Sequence, residues 1–467
     1  MRNITILLSV ALLVTTSGIC RADNAGDVAK ENAELRQRVE RLEKELEELK
    51  KIVLQQAKAP AAEPSKTESP KAQPSPAATP KLSETELQKI AEMVQKETVK
   101  KKVVWSDLDV QIYGILRLDS SYDTSQVEPG NYIKWVKSEK DNKNDNQFDM
   151  TANQSRLGLK INGPEDDRLK TSGLLEVDFY GLGEENKATI KMRHGYLKLE
   201  WPNERFDIIA GQTWDVIAPL NPYTLNDTVM WYAGNTGYRR PQLRLTKSYS
   251  LSNDVDLKLE GALARTIGRK PSFTGAIDSG SDAGFPCMQA RTSVTFPWFG
   301  LKPTTIGISG HWAKEEYDFN NITPTITNKK FQSWSINLDV TQPINKWLAV
   351  KGELFNGENI DAYAGGIGQG VNLTTYQEIG SKGGWVAAEL GPWDKWRFNI
   401  GTGVDGVDGG DVKTGDRLMN RSIFGNVIYS ATKNAEIGFE LSRWQTDYKG
   451  SGDADDLRAQ TSLIYKF

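Results

Sequence analysis

The clearest chemical signal in the sequence is a set of charged residues placed inside alternating apolar stretches. Arg117, Arg156, Lys191, Arg193, Arg240, Arg244 and Arg265 all occur in the first half of the strand-rich region. Arg244 stands between Leu243 and Leu245, while Glu176 and Asp178 alternate with Leu175, Val177 and Phe179. On a strand, neighbouring side chains point to opposite faces, so these charges lie opposite an apolar face. In a membrane barrel a charge on the lipid side costs about 2–4 kcal/mol at the midplane, so these groups are expected to face the lumen. Basic groups across a pore from acidic ones create a transverse field that orients solutes and favours anions near the arginines. The alternative is that the charges pair and only solvate the lumen.

Other residues offer little chemistry. The two histidines, His194 and His311, each fall inside a strand candidate and match neither a zinc motif nor a nucleophile elbow. A barrel hydrolase would need a Ser–His or Asp–His pair assembled from distant strands. The run Gly365-Gly-Ile-Gly-Gln-Gly370 lacks the strand-to-helix context of a phosphate loop and reads as a flexible loop. The expectation is therefore a protein that is not an enzyme, with no cofactor and no metal.

The connection 214–240 stands apart. It is rich in apolar and aromatic residues for a segment that should meet water. Such a loop is expected to fold back into the barrel and narrow it, with Trp214, Asp215, Tyr223, Asn226, Asp227 and Trp231 as its candidate lining residues.

The elements that would position these residues are short alternating strands. In Asp254–Arg265, Val255, Leu257, Leu259, Gly261 and Leu263 share one face, and Asp256, Lys258, Glu260 and Ala262 the other. At the C-terminus Leu463, Tyr465 and Phe467 share a face opposite Ser462, Ile464 and Lys466. Sixteen candidates begin near 109, 153, 170, 188, 204, 241, 254, 287, 303, 330, 345, 383, 395, 419, 434 and 456. Short connections at 162–167, 201–204, 341–345, 391–394 and 431–434 alternate with long ones at 120–150, 214–240, 267–286, 314–329, 357–382 and 406–418. Short turns on one rim and long loops on the other are the topology of an all-β transmembrane barrel of about 16 antiparallel strands, spanning 107–467. An even count also puts both ends of the barrel on the short-turn rim.

The upstream segments read as delivery and anchoring devices. Residues 1–22 have the basic start, apolar core and Cys20-Arg-Ala22 cleavage site of a signal peptide. Ile19 before Cys20 argues against a lipoprotein. Residues 23–56 hold a heptad repeat, with Asn32, Val39, Leu46 and Val53 at a positions and Val28, Leu35, Leu42 and Leu49 at d. In a parallel coil Glu31 meets Arg36, Arg38 meets Glu43 and Glu45 meets Lys50, all opposite in sign. An N-terminal α-helical coiled coil in the periplasm is the expectation. Its packing pattern leans toward a dimer without specifying the number strongly. Residues 57–81 form a Pro/Ala-rich spacer reaching roughly 70 Å if extended. Residues 82–106 hold a short helix leading into the barrel, with Ser83 and Glu86 as a capping box.

Composition agrees with this class. The 467 residues carry a net charge of -3, which argues against nucleic acid as a partner. Mean hydropathy is -0.51. A barrel escapes the hydropathy test because half its strand residues face water. The 13 Trp and 15 Tyr suit two interfacial girdles. If cleavage follows Ala22, Cys287 is the one mature cysteine and no intrachain disulfide can form.

With those residues in view, the chain resembles the DcaP-like trimeric porins of bacterial outer membranes. The likeness rests on the coiled-coil start, on Gln154-Ser-Arg-Leu-Gly158, Met192-Arg-His-Gly-Tyr196 and Ala210-Gly-Gln-Thr-Trp214, and on Asn420-Arg-Ser-Ile-Phe424. It covers about three quarters of the chain. The resemblance implies a sixteen-stranded barrel, a homotrimer, an inward-folded third loop and passage of small organic acids. The terminal Phe467 looks like the signal that outer-membrane barrels present for insertion. The Pro-rich spacer departs from the family pattern. The expected partners are copies of the chain, the outer-membrane bilayer and small organic anions such as dicarboxylates. A rival reading makes the barrel a membrane anchor for an envelope tether reaching toward peptidoglycan.

Overall fold

The computed structural model describes residues 103–105, 108–142, 145–164, 168–181, 185–269, 278–300 and 302–467. The signal peptide, coiled coil and spacer lie outside the described residues, as does nearly all of the short helical segment. Alternating polar and apolar residues can bury neither face in a membrane helix, so the chain closes on itself as an antiparallel β-barrel of sixteen wall strands. These are β1 (Leu108–Asp123), β2 (Gln147–Thr151 continued by Arg156–Asn162), β3 (Lys170–Asp178) and β4 (Lys191–Trp201). Next come β5 (Phe206–Trp214), β6 (Arg239–Ser252), β7 (Val255–Ala264) and β8 (Cys287–Phe296). The second half is β9 (Thr304–Phe319), β10 (Ile326–Pro343), β11 (Leu348–Glu358) and β12 (Gly380–Trp393). It ends with β13 (Trp396–Val407), β14 (Arg417–Ser430), β15 (Ala435–Tyr448) and β16 (Gly452–Lys466). No helix among the described residues is long and apolar enough to cross a membrane.

The faces follow the sequence alternation. On β16 Leu457, Leu463 and Tyr465 are exposed outward, while Asp456, Arg458, Gln460 and Ser462 are buried inward. On β7 Leu259 and Leu263 point out and Ala262 and Ala264 point in. An apolar exterior over a polar interior is what a lipid-facing barrel requires. Around the short-turn rim Trp298, Trp347, Trp393, Trp396, Tyr465 and Phe467 stand exposed, as an aromatic girdle would.

The connections depart from the sequence reading in one place. Residues 314–329 are expected to be a long loop, but β9 and β10 stay paired out to Phe319 opposite Ile326, leaving only 320–325 between them. The extension is stabilised by a buried cluster of Tyr317, Phe319 and Phe331, against which Tyr376 packs.

Closure is made by β1. On one edge Asp109 to Ile115 and Asp119 to Asp123 pair with the two segments of β2, and on the other Ile115 to Asp123 pairs with β16. The last residue completes the seam: Phe467 N–H donates to the Gly114 carbonyl at 3.1 Å, and Gly114 N–H donates to the Phe467 carbonyl at 3.0 Å. A Cβ on Gly114 would lie 2.5 Å from the Phe467 ring and 2.6 Å from the Arg156 carbonyl. Inside the barrel the same seam is clamped by Arg458, which donates to both carboxylate oxygens of Asp123 at 3.0 Å. Overpacking a site this tight costs about 1–3 kcal/mol. Gly114→Leu should therefore lower the fraction of barrel that refolds to the heat-resistant form on gels. A refolded fraction equal to the native chain would show that the seam does not depend on this contact.

Candidate functional site

The segment 215–238 leaves the wall after β5 and crosses the lumen. Its root is an ion pair: Asp215 accepts from Arg240 Nε at 2.6 Å and Nη2 at 3.0 Å, and from the Tyr238 backbone N–H at 2.9 Å. Gln289 Nε2 adds a fourth donor at 2.7 Å. The Tyr363 ring lies 3.9 Å from the Arg240 guanidinium, and Arg240 is 0% exposed. Alternation correctly turns Arg240 inward. The structure nevertheless places it beneath the loop root, sealed from the lumen rather than lining it.

From that root the loop is fastened to the wall by its backbone. Val216 N–H donates to Gln289 Oε1 on β8 at 2.7 Å, and Leu220 N–H to Glu353 Oε1 on β11 at 2.7 Å. At the far side Leu225 N–H donates to Glu440 Oε2 on β15 at 2.7 Å. The Leu225 carbonyl accepts from Gln460 on β16 and from Arg117 on β1. Asn426 on β14 donates to the Tyr223 carbonyl at 2.8 Å, and Asn226 exchanges hydrogen bonds with Ile133 in the first long loop. Where the return limb meets β12, Gly234 has φ +117°, and a Cβ there would sit 2.2 Å from the Gly384 carbonyl. Only glycine fits that approach. An aromatic-rich loop whose polar backbone is satisfied by wall side chains can lie inside a barrel without leaving unpaired groups.

The loop thus covers the wall from β8 round to β16 and leaves β2–β6 facing it across the lumen. That open side carries the predicted charges. Arg193 pairs with Glu176 at 2.6 Å and Asp178 at 3.0 Å, and Lys191 lies 3.5 Å from Asp178. Tyr113 donates to the second oxygen of Glu176 at 2.8 Å. Arg117 pairs with Asp119 at 2.9 Å. Arg156 has no carboxylate partner among the described residues, and its Nε has no hydrogen-bond acceptor. Arg193, Asp227, Glu176 and Arg239 are the charged groups near enough to act electrostatically on Arg156, so β2, β3, β4, β6 and the loop each bring a charge to this region of the lumen.

Arg239 completes the group and was not singled out from the sequence. It opens β6, out of phase with the strand's alternation, so the face rule passes over it. Its guanidinium lies 4.5 Å from the Trp214 ring, 5.0 Å from Tyr238 and 5.9 Å from Trp231, with Nη1 unpartnered. Above it Lys134, in a hairpin of the first loop, sits 5.6 Å from Tyr132, 5.7 Å from Trp135 and 5.9 Å from Tyr232. Burial among those rings lowers the Lys134 ammonium from its ordinary pKa, against the opposing pull of Glu128. A cavity of about 360 Å³ lies here, lined by Lys134, Lys191, Asp227, Trp231 and surrounding tyrosines.

Two candidates fall elsewhere. Arg244 donates to Gln242 and to the Trp214 carbonyl, below the convergence point. Arg265 lies in the fourth long loop, exposed and paired with Asp278. The histidines are structural in their surroundings. His194 meets Thr213 at 3.1 Å. His311 is bonded at both nitrogens, to Ser335 at 2.8 Å and Ser333 at 3.0 Å, and is capped by the Tyr363 ring 3.8 Å away. Among the described residues no group of three or more His, Cys, Asp or Glu is placed to hold a metal ion.

Breaking a buried pair by removing one partner costs about 3–5 kcal/mol. Arg240→Met should therefore lower the guanidinium midpoint of unfolding and free the loop root, seen as noisier single-channel current. Native stability and quiet current in that variant would show that the Asp215 clamp does not anchor the loop.

No family model and no curated protein matches the sequence. Among solved structures, the outer membrane channel DcaP of Acinetobacter baumannii aligns with a TM-score of 0.63 and 18% identity, over 77% of this chain and 97% of that one. OmpT of Vibrio cholerae aligns at 0.49 with 13% identity, over 79% and 100% of the two chains. The anion-selective porin from Comamonas acidovorans aligns at 0.48 with 13% identity, over 77% and 100%. At these identities the likeness is one of fold, and the barrel fold of DcaP is the one that the sequence motifs resemble. Three of those motifs, on β2, β4 and β5, supply Arg156, Arg193 and Trp214 to the convergence point.

Proposed function

We propose that the chain is an outer-membrane porin, through which small hydrophilic solutes pass by passive diffusion with a bias toward organic anions such as dicarboxylates. The observation that carries this reading is the pair of guanidiniums, Arg156 and Arg239, without carboxylate partners at the point where the loop faces the wall. A pore built only to be solvated would neutralise both. The fold likeness to a bacterial outer membrane channel supports the location and class.

The chemistry is electrostatic. An anion entering from the long-loop rim meets Lys134 first and then Arg156, which replaces part of its hydration shell. Asp227 on the loop faces it, so a dipolar solute turns its negative end to the wall. Arg156 is the guanidinium that a carboxylate can reach, and Arg239, 4% exposed among its rings, adds positive charge from behind them. Release requires that the site not become a trap. Below the convergence point most lumenal cations are matched: Arg291 with Glu260 at 2.9 Å and Asp339 at 2.7 Å, Lys351 with Glu389 at 2.7 Å, and Arg397 with Glu436 at 2.7 Å, while Arg244 is held by Gln242 and the Trp214 carbonyl. An anion leaving the arginines therefore meets mostly neutralised wall, with Arg244 as a single further cation on its way out. The functional unit is a homotrimer in this reading, with the N-terminal heptads in the periplasm joining the copies.

The reversal potential across a planar bilayer under a salt gradient tests the selectivity. The native channel should prefer anions. Arg156→Ala with Arg239→Ala should lower the anion-to-cation permeability ratio by about tenfold or less, toward unity, while current persists. Cation preference in the native channel would overturn the anion claim. A folded barrel without current would instead favour the tether, whose function should vanish when residues 23–102 are removed.

A further inference from the structure

The outward wall has one feature that diffusion does not use. A groove of about 190 Å³ opens on the outer face of β13–β15, lined by Thr402, Arg421, Ser422, Ile423, Arg443 and Gln445. Pairing places it in the barrel. Thr402, Ile423, Arg443 and Leu457 form one row across β13–β16, and Val404, Arg421, Gln445 and Asp455 form the next row toward the long loops. On the short-turn side of these rows the same strands expose Phe398, Ile400, Phe439 and Leu441. On the long-loop side the outward residues are Met419, Asp447 and Asp453, where the last apolar residue gives way to two carboxylates. The groove therefore marks the level where the exterior changes from apolar to charged, and a bilayer's headgroup phosphates lie at that level.

Its arginines are available. The Arg443 side chain is 63% exposed, its nearest carboxylate, Asp455, is 3.8 Å away, and it makes no hydrogen bond among the described residues. Arg421 donates one Nη2 hydrogen to Asp447 at 2.8 Å and keeps the rest of its guanidinium free, its side chain 45% exposed. They stand on adjacent strands one row apart, a diagonal within reach of long side chains. Guanidiniums bind phosphate oxygens in a forked geometry that lysine does not reproduce. The carboxylates of Asp447 and Asp453 sit beyond them, with Asp455 level with Arg421 two strands away, and would repel a phosphate approaching from the long-loop side. An anion is thus admitted from the lipid side, where the apolar wall continues below it.

We infer that this groove holds the phosphorylated sugar headgroup of an outer-leaflet glycolipid, with phosphate on Arg421 and Arg443 and acyl chains along Phe398, Ile400 and Leu441. The inference rests on the outer-membrane reading above. Native mass spectrometry of the full chain in detergent tests it, with bis-phosphorylated lipid A, the same lipid freed of phosphate, and phosphatidylethanolamine as probes. The native protein should retain bis-phosphorylated lipid A at concentrations at least about tenfold below the other two, a contrast in the range that charge-assisted pairs give. Arg421→Ala with Arg443→Ala should abolish the contrast, the double Lys variant should keep part of it, and single-channel current should be unchanged in both. Equal retention by native and Ala variants, or no discrimination by phosphate, would overturn the inference. Loss of the oligomer with lipid binding unchanged would assign the groove to contact between copies and overturn it too. Absence of current from the native protein would count against the porin reading alone and leave the lipid count standing.

Discussion

A sheet whose outer face meets hydrocarbon cannot leave an edge open, because lipid offers nothing to its backbone N–H and C=O groups. Every other feature of this barrel follows from that requirement. Closure demands that β1 serve two neighbours, and it does so by pairing with both segments of β2 along one edge and with β16 along the other from Ile115 onward. The terminal Phe467 can reach across the seam because Gly114 has no side chain to block it. Closure also forces one face of each strand inward, and a lumen of this size must then be filled with water, with paired charges, or with chain. The structure shows paired charges and chain inside the wall.

The chain's contribution is the loop 215–238. The wall is built to receive it: Gln289, Glu353, Asn426, Glu440 and Gln460 each meet one of its peptide groups. A loop held at so many points behaves as wall rather than as a mobile lid. It screens the β8–β16 side and concentrates the lumen's unmatched charge on β2–β6. Selectivity in this account comes from where charge is left unpaired. The same arginine chemistry sits in different settings: Arg240 and Arg458 are buried against carboxylates, Arg156 and Arg239 have no carboxylate partner among the described residues, and Arg421 and Arg443 are exposed on the outer wall.

Much of this was legible beforehand. Alternation around Leu243–Arg244–Leu245 and Leu175–Glu176–Val177 gives faces that the barrel keeps, and breakers such as Gly391-Pro-Trp-Asp394 mark turns that exist. The inward loop was readable from its excess of Trp, Tyr and apolar residues. What alternation could not reveal is pairing between distant strands. Arg240 reads as pore-lining until Asp215 and Tyr363 are seen to cover it, and Arg239 is invisible to a rule of faces because its orientation is set by the loop. Lys134 belongs to a hairpin whose inward fold has no periodic signature. The length of β9 and β10 was underestimated because an aromatic cluster, not lipid, holds their outer ends.

The central claim is that solutes pass between the loop and the β2–β6 wall, where Asp227 faces Arg156 and Arg239. The most direct measurement is conductance of single channels carrying Asp227→Cys, before and after reaction with a negatively charged thiol reagent, with the buried native Cys287 as the internal control. The account predicts a stepwise loss of current in the variant and none in the native channel. It also predicts no loss when the cysteine replaces Ser335, which lies on the covered wall. Unchanged current after complete modification at position 227 would contradict it and place the passage elsewhere in the barrel.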